Sequence, residues 1–333
     1  MQPSEWAPEF ANGMSNHLPM ALHALAQMQA SEQQISKFSR HYSRRLLAVS
    51  VQSAVEVKSW NDAQQLKGKG TAYLPLRDFF LTQLQFSIGK QNLLQFINQL
   101  APGLSCSAFH PLIQLAHAIE NQDSLQMANA LAYWVMRYQE LSWPKNQHTS
   151  SDSLSATIEN VLLAHSWPQG RLGKASVADD MLQVSLQNNF SQLVFKPQAA
   201  ALDLAAMEQA IIGLYLATDD FTILHGVTAT YAVRVIADFA AKPTLLLESL
   251  WQGLVTAYLS KTFSVEQLAE TRSKLQDTPV YSVDELRQRA CNSLDDHSIK
   301  LVAVCLKMYQ ISANKDYLLA ASRKLQNDKS AIQ

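Results

Sequence analysis

Glycine is scarce in this chain, at 10 of 333 residues, against roughly 7% in an average protein. A phosphate-binding fold built on glycine-rich turns needs glycines in clusters, and few are present to cluster. No GxGxxG occurs, so the chain has no flavin or nicotinamide fingerprint. Charge is low as well: 17% of residues are Asp, Glu, Lys or Arg, against roughly 25% in a typical soluble domain. A disordered chain would carry more charge and fewer large apolar groups. The 27 Lys and Arg are offset by 28 Asp and Glu, a net charge of −1, which argues against a nucleic-acid partner.

Three cysteines, Cys106, Cys291 and Cys305, with no CxxC pair, cannot form a disulfide framework, and a reducing compartment suits them. Residues 1–10 contain Glu5 and Glu9 and no basic run before an apolar stretch, unlike a secretory leader. No apolar run approaches the roughly 18 residues of a membrane span. The nearest, Ala200–Leu216, is broken by Asp203, Glu208 and Gln209. The expectation is a cytoplasmic protein with no membrane partner.

What the chain does have is apolar residues, at 47%, spaced with helical periodicity from end to end. The fold class expected is all-α: one large multi-helix domain over 1–333, or two helical lobes meeting at a polar surface loop at 145–155. Helices are expected at Met20–Met28, Ser36–Val57, Leu76–Ile88, Gln91–Leu100, Pro111–Glu120, Leu125–Leu141, Ala156–His165, Ala178–Phe190, Ala199–Leu216, Thr222–Phe239, Thr244–Leu259, Val283–Ser293, Ser298–Ile311 and Asp316–Leu325. Lys67–Gly70 reads as a turn. A weak alternation at Met181–Leu186 and Leu193–Lys196 leaves a hairpin as an option there.

The nine histidines are where chemistry can reside, because imidazole is both a common metal ligand and a common acid or base. His17 stands before Pro19 at a helix mouth. His110 precedes Pro111 and belongs at or beside an N-cap. His117 and Glu120 follow on the same helical face, so His110, His117 and Glu120 form one candidate metal face. His225 lies in a helix apolar nearly all round and is therefore buried. Beside it, Gly226 costs helix stability by about 1 kcal/mol against Ala, which points to close packing or to room for a ligand. His297 and Lys300 share a face, with Asp296 and Lys300 readable as an ordinary surface pair. His23, His41, His148 and His165 read as structural or exposed. The bland alternative is a partly exposed capping residue for His17 and a core residue bonded to a carbonyl for His117 and His225.

The segments Asn16-His17-Leu18-Pro19-Met20-Ala21, Phe109-His110-Pro111-Leu112-Ile113, Leu224-His225-Gly226-Val227-Thr228 and Asp296-His297-Ser298-Ile299-Lys300-Leu301, in that order, resemble the questin oxidase-like family. The resemblance runs from about residue 10 to about residue 310. It implies an all-helical oxidoreductase, a mono- or dioxygenase that uses O2, without flavin, on a hydrophobic aromatic or quinone-like substrate. It also implies a non-haem iron held by His17, His110, His225, His297 and a CO2-carboxylated Lys300. Zinc and nickel suit the same imidazoles. Glu120 and Arg234 are the candidates for catalytic or supporting contacts, Glu120 by accepting an imidazole N–H. Any NADPH requirement would need an external reductase or an unrecognised site. The chain departs from fungal relatives at Gln114, where a second histidine is usual, and at His117, where an aromatic residue is usual. Two alternatives stand beside the oxygenase: a non-catalytic helical scaffold, whose histidines would lie apart, and a metal-dependent hydrolase.

Overall fold

The chain folds, in a computed structural model, as a stack of helices whose central members are buried on every side. The structure describes residues 6–11, 13–50, 55–85, 89–143, 149–163, 176–240, 242–261, 263 and 265–332. The first seven helices are α1 (Leu18–Gln27), α2 (Glu32–Ser43), α3 (Trp60–Gln65), α4 (Tyr73–Gln85), α5 (Gly89–Leu100), α6 (His110–Glu120) and α7 (Ser124–Met136). Next come α8 (Leu154–Leu163), α9 (Val177–Ser185), α10 (Asn188–Leu193), α11 (Leu204–Thr218) and α12 (Phe221–Ile236). The last are α13 (Pro243–Leu259), α14 (Val265–Gln276), α15 (Val283–Asn292), α16 (Asp296–Ser312) and α17 (Asp316–Gln326). Among the described residues the strands are two-residue pieces. β1 (Glu9–Phe10) pairs antiparallel with β2 (Met14–Ser15), and β3 (Thr149–Ser150) pairs parallel with β4 (Lys196–Pro197). The all-α expectation holds. No helix among the described residues is long and apolar enough to cross a membrane.

Side-chain caps set many of the helix starts. Ser31, Ser59 and Ser282 each form a capping box with the residue three places on, and Asp123, Asp203, Asp220 and Asp295 accept first-turn N–H groups. Such a cap is worth about 1 kcal/mol. Helix α6 packs on α1, α7 and α12, and α12 packs in turn on α11, α13 and α16. Helix α12 buries 13 of its 16 residues, as a helix apolar all round must. One contiguous core runs from Phe10 to Leu325. Gly226 is explained by this packing. A Cβ there would stand 2.8 Å from Ile211 Cδ1 and 3.1 Å from Leu254 Cδ2, so the glycine lets α11 and α13 close on α12.

Three expected elements are corrected. The helix expected over Ser36–Val57 ends at Ser43. The apolar residues after it are extended: Ala7 N–H donates to Leu47 O at 2.8 Å, and Ala48 bridges Trp6. Part of that range, 51–54, lies outside the described residues. The helix expected to reach Leu141 stops at Met136, because Gly68 and Gly70 N–H, from the expected Lys67–Gly70 turn, take the carbonyls of Val135 and Met136. There is no hairpin at 181–196. Met181 and Val184 are buried on one face of α9, which packs on α13. Of the loop expected at 145–155, residues 145–148 lie outside the described residues, Thr149–Ser150 is β3, and α8 begins at Leu154. His148 and His165 also lie outside them.

Candidate metal centre

Four histidines arrive at one place from four helices. His17 is the N-cap of α1, His110 the first residue of α6, His297 the second residue of α16, and His225 lies in the second turn of α12. Their rings form a closed ring of neighbours: centroids are 4.6 Å apart for His17–His110, 4.8 Å for His110–His225, 5.2 Å for His225–His297 and 4.7 Å for His17–His297. Histidines kept only as core residues would lie apart, and these do not.

The entry to α6 is strained. Ser107, Ala108 and Phe109 follow one another in the left-handed region, at φ 47°, 53° and 67°, and none is glycine. Such residues cost of order 1–3 kcal/mol each and persist where their surroundings over-determine them. Phe109 is fully buried, and its ring fills the space left at Gly253, where a Cβ would stand 2.7 Å from Phe109 Cε1. The turn brings Ser107 O onto His110 Nδ1.

Every Nδ1 in the set is claimed. His110 Nδ1–H donates to Ser107 O and His225 Nδ1–H to Phe221 O at 2.8 Å. His17 Nδ1–H donates to Asp296 Oδ2, and His297 Nδ1 lies 3.1 Å from the same oxygen. Those acceptors fix the tautomer and leave each Nε2 with a lone pair. All four Nε2 atoms are buried and have no hydrogen-bond partner. Four buried acceptors facing one another cannot satisfy each other, and each would cost about 1–3 kcal/mol unmet. A divalent cation would answer those of His17, His110 and His297, with the His225 ring beside them, and imidazole suits iron, zinc and nickel. The ligand atoms of His17, His110 and His297 lie within 4.8 Å of one another.

Burial keeps the rings of His17, His110 and His225 neutral. It lowers His17 to about 3, helped by the Lys300 charge and opposed by Asp296. His110 and His225 are held well below the usual histidine value, again by burial first. Lys300 is 3% exposed, with Nζ 3.7 Å from Asp296 Oδ2. Burial brings it down to about 8 against the pull of Asp296. The pair is therefore an interior one, which sets aside its reading as an ordinary surface pair. Burial would raise Asp296, but His297, His17 and Lys300 together hold its carboxyl well below the usual range. Asp296 is the residue the sequence reading missed, although it stands beside His297 in one of the quoted segments.

Glu120 and Arg234 are not brought to the four rings. Glu120 accepts from Tyr231 Oη at 2.6 Å, from Gln27 Nε2 at 3.2 Å and from Lys307. Arg234 forms a two-pronged pair with Glu208, at 2.5 and 2.6 Å. The face expected to join His110, His117 and Glu120 is split: seven residues carry His117 about 10 Å down the α6 axis from His110, while His117 and Glu120 stay together with His23, their ligand atoms within 4.8 Å of one another. There His117 Nδ1 lies 2.9 Å from His23 Nδ1, and His23 Nε2 lies 3.1 Å from Gln27 Nε2. Gln27 also donates to Glu120, which orients its amide N–H toward His23. His23 therefore accepts at Nε2 and donates from Nδ1 to His117. Gln114 borders the small cavity beside this pair.

A cavity of about 750 Å³ opens onto the four rings. Phe10, Met14, Val177, Leu182 and Phe221 supply its apolar wall, and its size suits a drug-sized ligand. A family model described as Questin oxidase-like matches residues 14–305 of the chain. Comparison with curated proteins finds no match.

Proposed function

The chain belongs to the Questin oxidase-like family, and from that premise we propose that it is a metal-dependent oxygenase that uses O2 on a hydrophobic, aromatic or quinone-like substrate. One observation carries the metal: four buried Nε2 atoms without partners, on rings whose Nδ1 atoms are all held. His17, His110, His225 and His297 would hold the ion, and iron is the metal the reading favours over zinc or nickel. A bound iron supplies the redox chemistry that couples O2 to an organic substrate. The residues do the rest. Asp296 orients two of the rings and places one negative charge beside a site of neutral donors. Ser107 O and Phe221 O orient the other two. The apolar wall keeps water from a hydrophobic substrate.

In this reading Lys300 is the fifth donor. Near pH 7 its lowered pKa leaves a fraction of free amine, which adds to CO2 to give a carbamate and releases one proton. That carbamate would supply an anionic oxygen to the ion. Because Lys300 Nζ lies 3.7 Å from Asp296 Oδ2, this second anion would need the cation in place. Hydrolytic zinc chemistry would use the same donors, and the family match favours oxidation instead.

The test is metal analysis of the purified protein, before and after anaerobic loading with Fe(II), with O2 uptake measured on hydroxyanthraquinones. One metal per chain is expected, lost in His225→Ala while the helical circular-dichroism signal is kept. A protein that neither carries nor takes up a transition metal would sink the proposal. A zinc-loaded protein with no O2 uptake would favour the hydrolase.

A further inference from the structure

Two arginines border the cavity, and they are not equivalent. Arg137 is engaged with Glu9, its Nε 2.9 Å from Oε1 and its other prong on Oε2. Arg45 has no acidic partner among the described residues. Its guanidinium carbon lies 4.2 Å from the ring centroid of Tyr42, and Tyr42 Oη accepts the backbone N–H of His17 at 3.0 Å. The cation is thus tethered, through one aromatic ring, to the histidine site. Of the acids that border the cavity, Glu9 is engaged by Arg137 and Asp296 by two rings and Lys300, and Asp179 stands apart from these in the first turn of α9.

Phe221 is the second unusual group. It is 50% exposed, although other phenylalanines of the core, such as Phe38, Phe80 and Phe109, are fully buried. Its ring lies 4.7 Å from His225 and 4.6 Å from His297 and borders the cavity. Half of an aromatic surface is left open beside the proposed ligands. Such a surface is suited to stack on a flat aromatic ring.

We propose that the cavity takes a flat aromatic ligand bearing an anionic oxygen group, with the ring against Phe221 and the anion on Arg45. The inference rests on reading the cavity as the pocket of that aromatic substrate, and adds to it an anionic oxygen group and the two residues that select it. Arg45 and Phe221 are then specificity residues rather than parts of the metal centre.

The experiment titrates the metal-loaded full chain with anthraquinone-2-carboxylate, with its methyl ester and with 2-hydroxyanthraquinone above its phenol pKa. The carboxylate should bind about tenfold more tightly than the ester, in the range of a bond to a charged group, and salt should shrink the preference because Arg45 is exposed. Arg45→Met should erase the preference and leave the ester's affinity unchanged, while Arg45→Lys retains part of it. Phe221→Ala should weaken acid and ester alike, about three- to tenfold. The phenolate arm tells a general oxyanion site from a carboxylate site. Equal binding of acid and ester, a preference that survives in Arg45→Met, or no binding of either would overturn the inference. Metal content, measured on the same samples, separates the two readings. A lost preference with metal retained defeats this inference alone, and absent metal defeats the oxygenase.

Discussion

Helix α6 carries two histidines seven residues apart, with opposite fates. At its N-terminus, His110 gives its Nδ1 proton to Ser107 O and leaves Nε2 buried beside three other bare nitrogens. Two turns on, His117 meets His23 at 2.9 Å, and one ring's donor answers the other's acceptor. Burial holds both well below the usual histidine value. Burial therefore does not mark a metal site. The mark is where the Nδ1 proton goes: when each goes to an oxygen rather than to a neighbouring ring, the Nε2 lone pairs are left over together, an arrangement that a cation would answer.

The sharpest way to break this contrast is a matched pair of substitutions. His110→Leu should abolish metal binding, a loss of more than about a hundredfold, beyond what a supporting contact costs. His117→Leu should leave metal stoichiometry unchanged. Metal analysis after dialysis reads both, and equal losses would erase the distinction between the clusters. Asp296→Asn comes next. Two rings lose their anionic acceptor, so affinity should fall about ten- to hundredfold in a competition titration with a chelating dye. An unchanged affinity would remove Asp296 from the centre.

Smaller effects probe the satisfied pair. His117→Leu keeps most of the volume but strands the His23 Nδ1–H, which should cost about 1–3 kcal/mol in urea unfolding. The pH dependence of the metal-free protein is the finest comparison. Burial lowers His17, His23, His110, His117 and His225, so the unfolded chain binds more protons than the folded one below pH 6.5. The penalty is absent above that value and grows as the pH falls, toward about 3 for His17. Each such ring contributes at most about 1.4 kcal/mol per pH unit. The slope between pH 6.5 and 5.5 should flatten in His117→Leu by no more than that. A variant as acid-sensitive as the parent would contradict a neutral His117.

Much of the fold was legible because helical periodicity is local. Where that reading failed, a distant partner had intervened. Ala7 and Trp6 pull residues 47–48 out of the expected helix, and two glycine N–H groups end α7 early. The short α3 and the twelve-residue α14 carry no such signal, and the helix expected over Ala178–Phe190 divides into α9 and α10. The four ligand candidates were legible as ordered histidine segments. Their supporting groups were not. Asp296 looks like a solvated partner for Lys300 until α1 packs on α16 and buries both. The left-handed run at Ser107, Ala108 and Phe109 has no local signal, since none of the three is Gly or Asn. His23 was set aside as structural or exposed, and the roughly 120° between it and His17 along a helix is the turn that sends it to the other cluster.

The bond between His17 and Asp296 joins residues 279 positions apart. During synthesis the N-terminal helices emerge first, and the His23–His117 pair is complete once α6 has left the ribosome. The four-histidine centre is not. Until α16 returns to α1 it lacks its fourth ring, and His17 lacks the acceptor that sets its tautomer. A metal at the proposed centre would therefore load late in the life of the chain. Its binding would report on nearly the whole polypeptide, and a nascent chain stopped before α16 would hold three of the rings and no complete set.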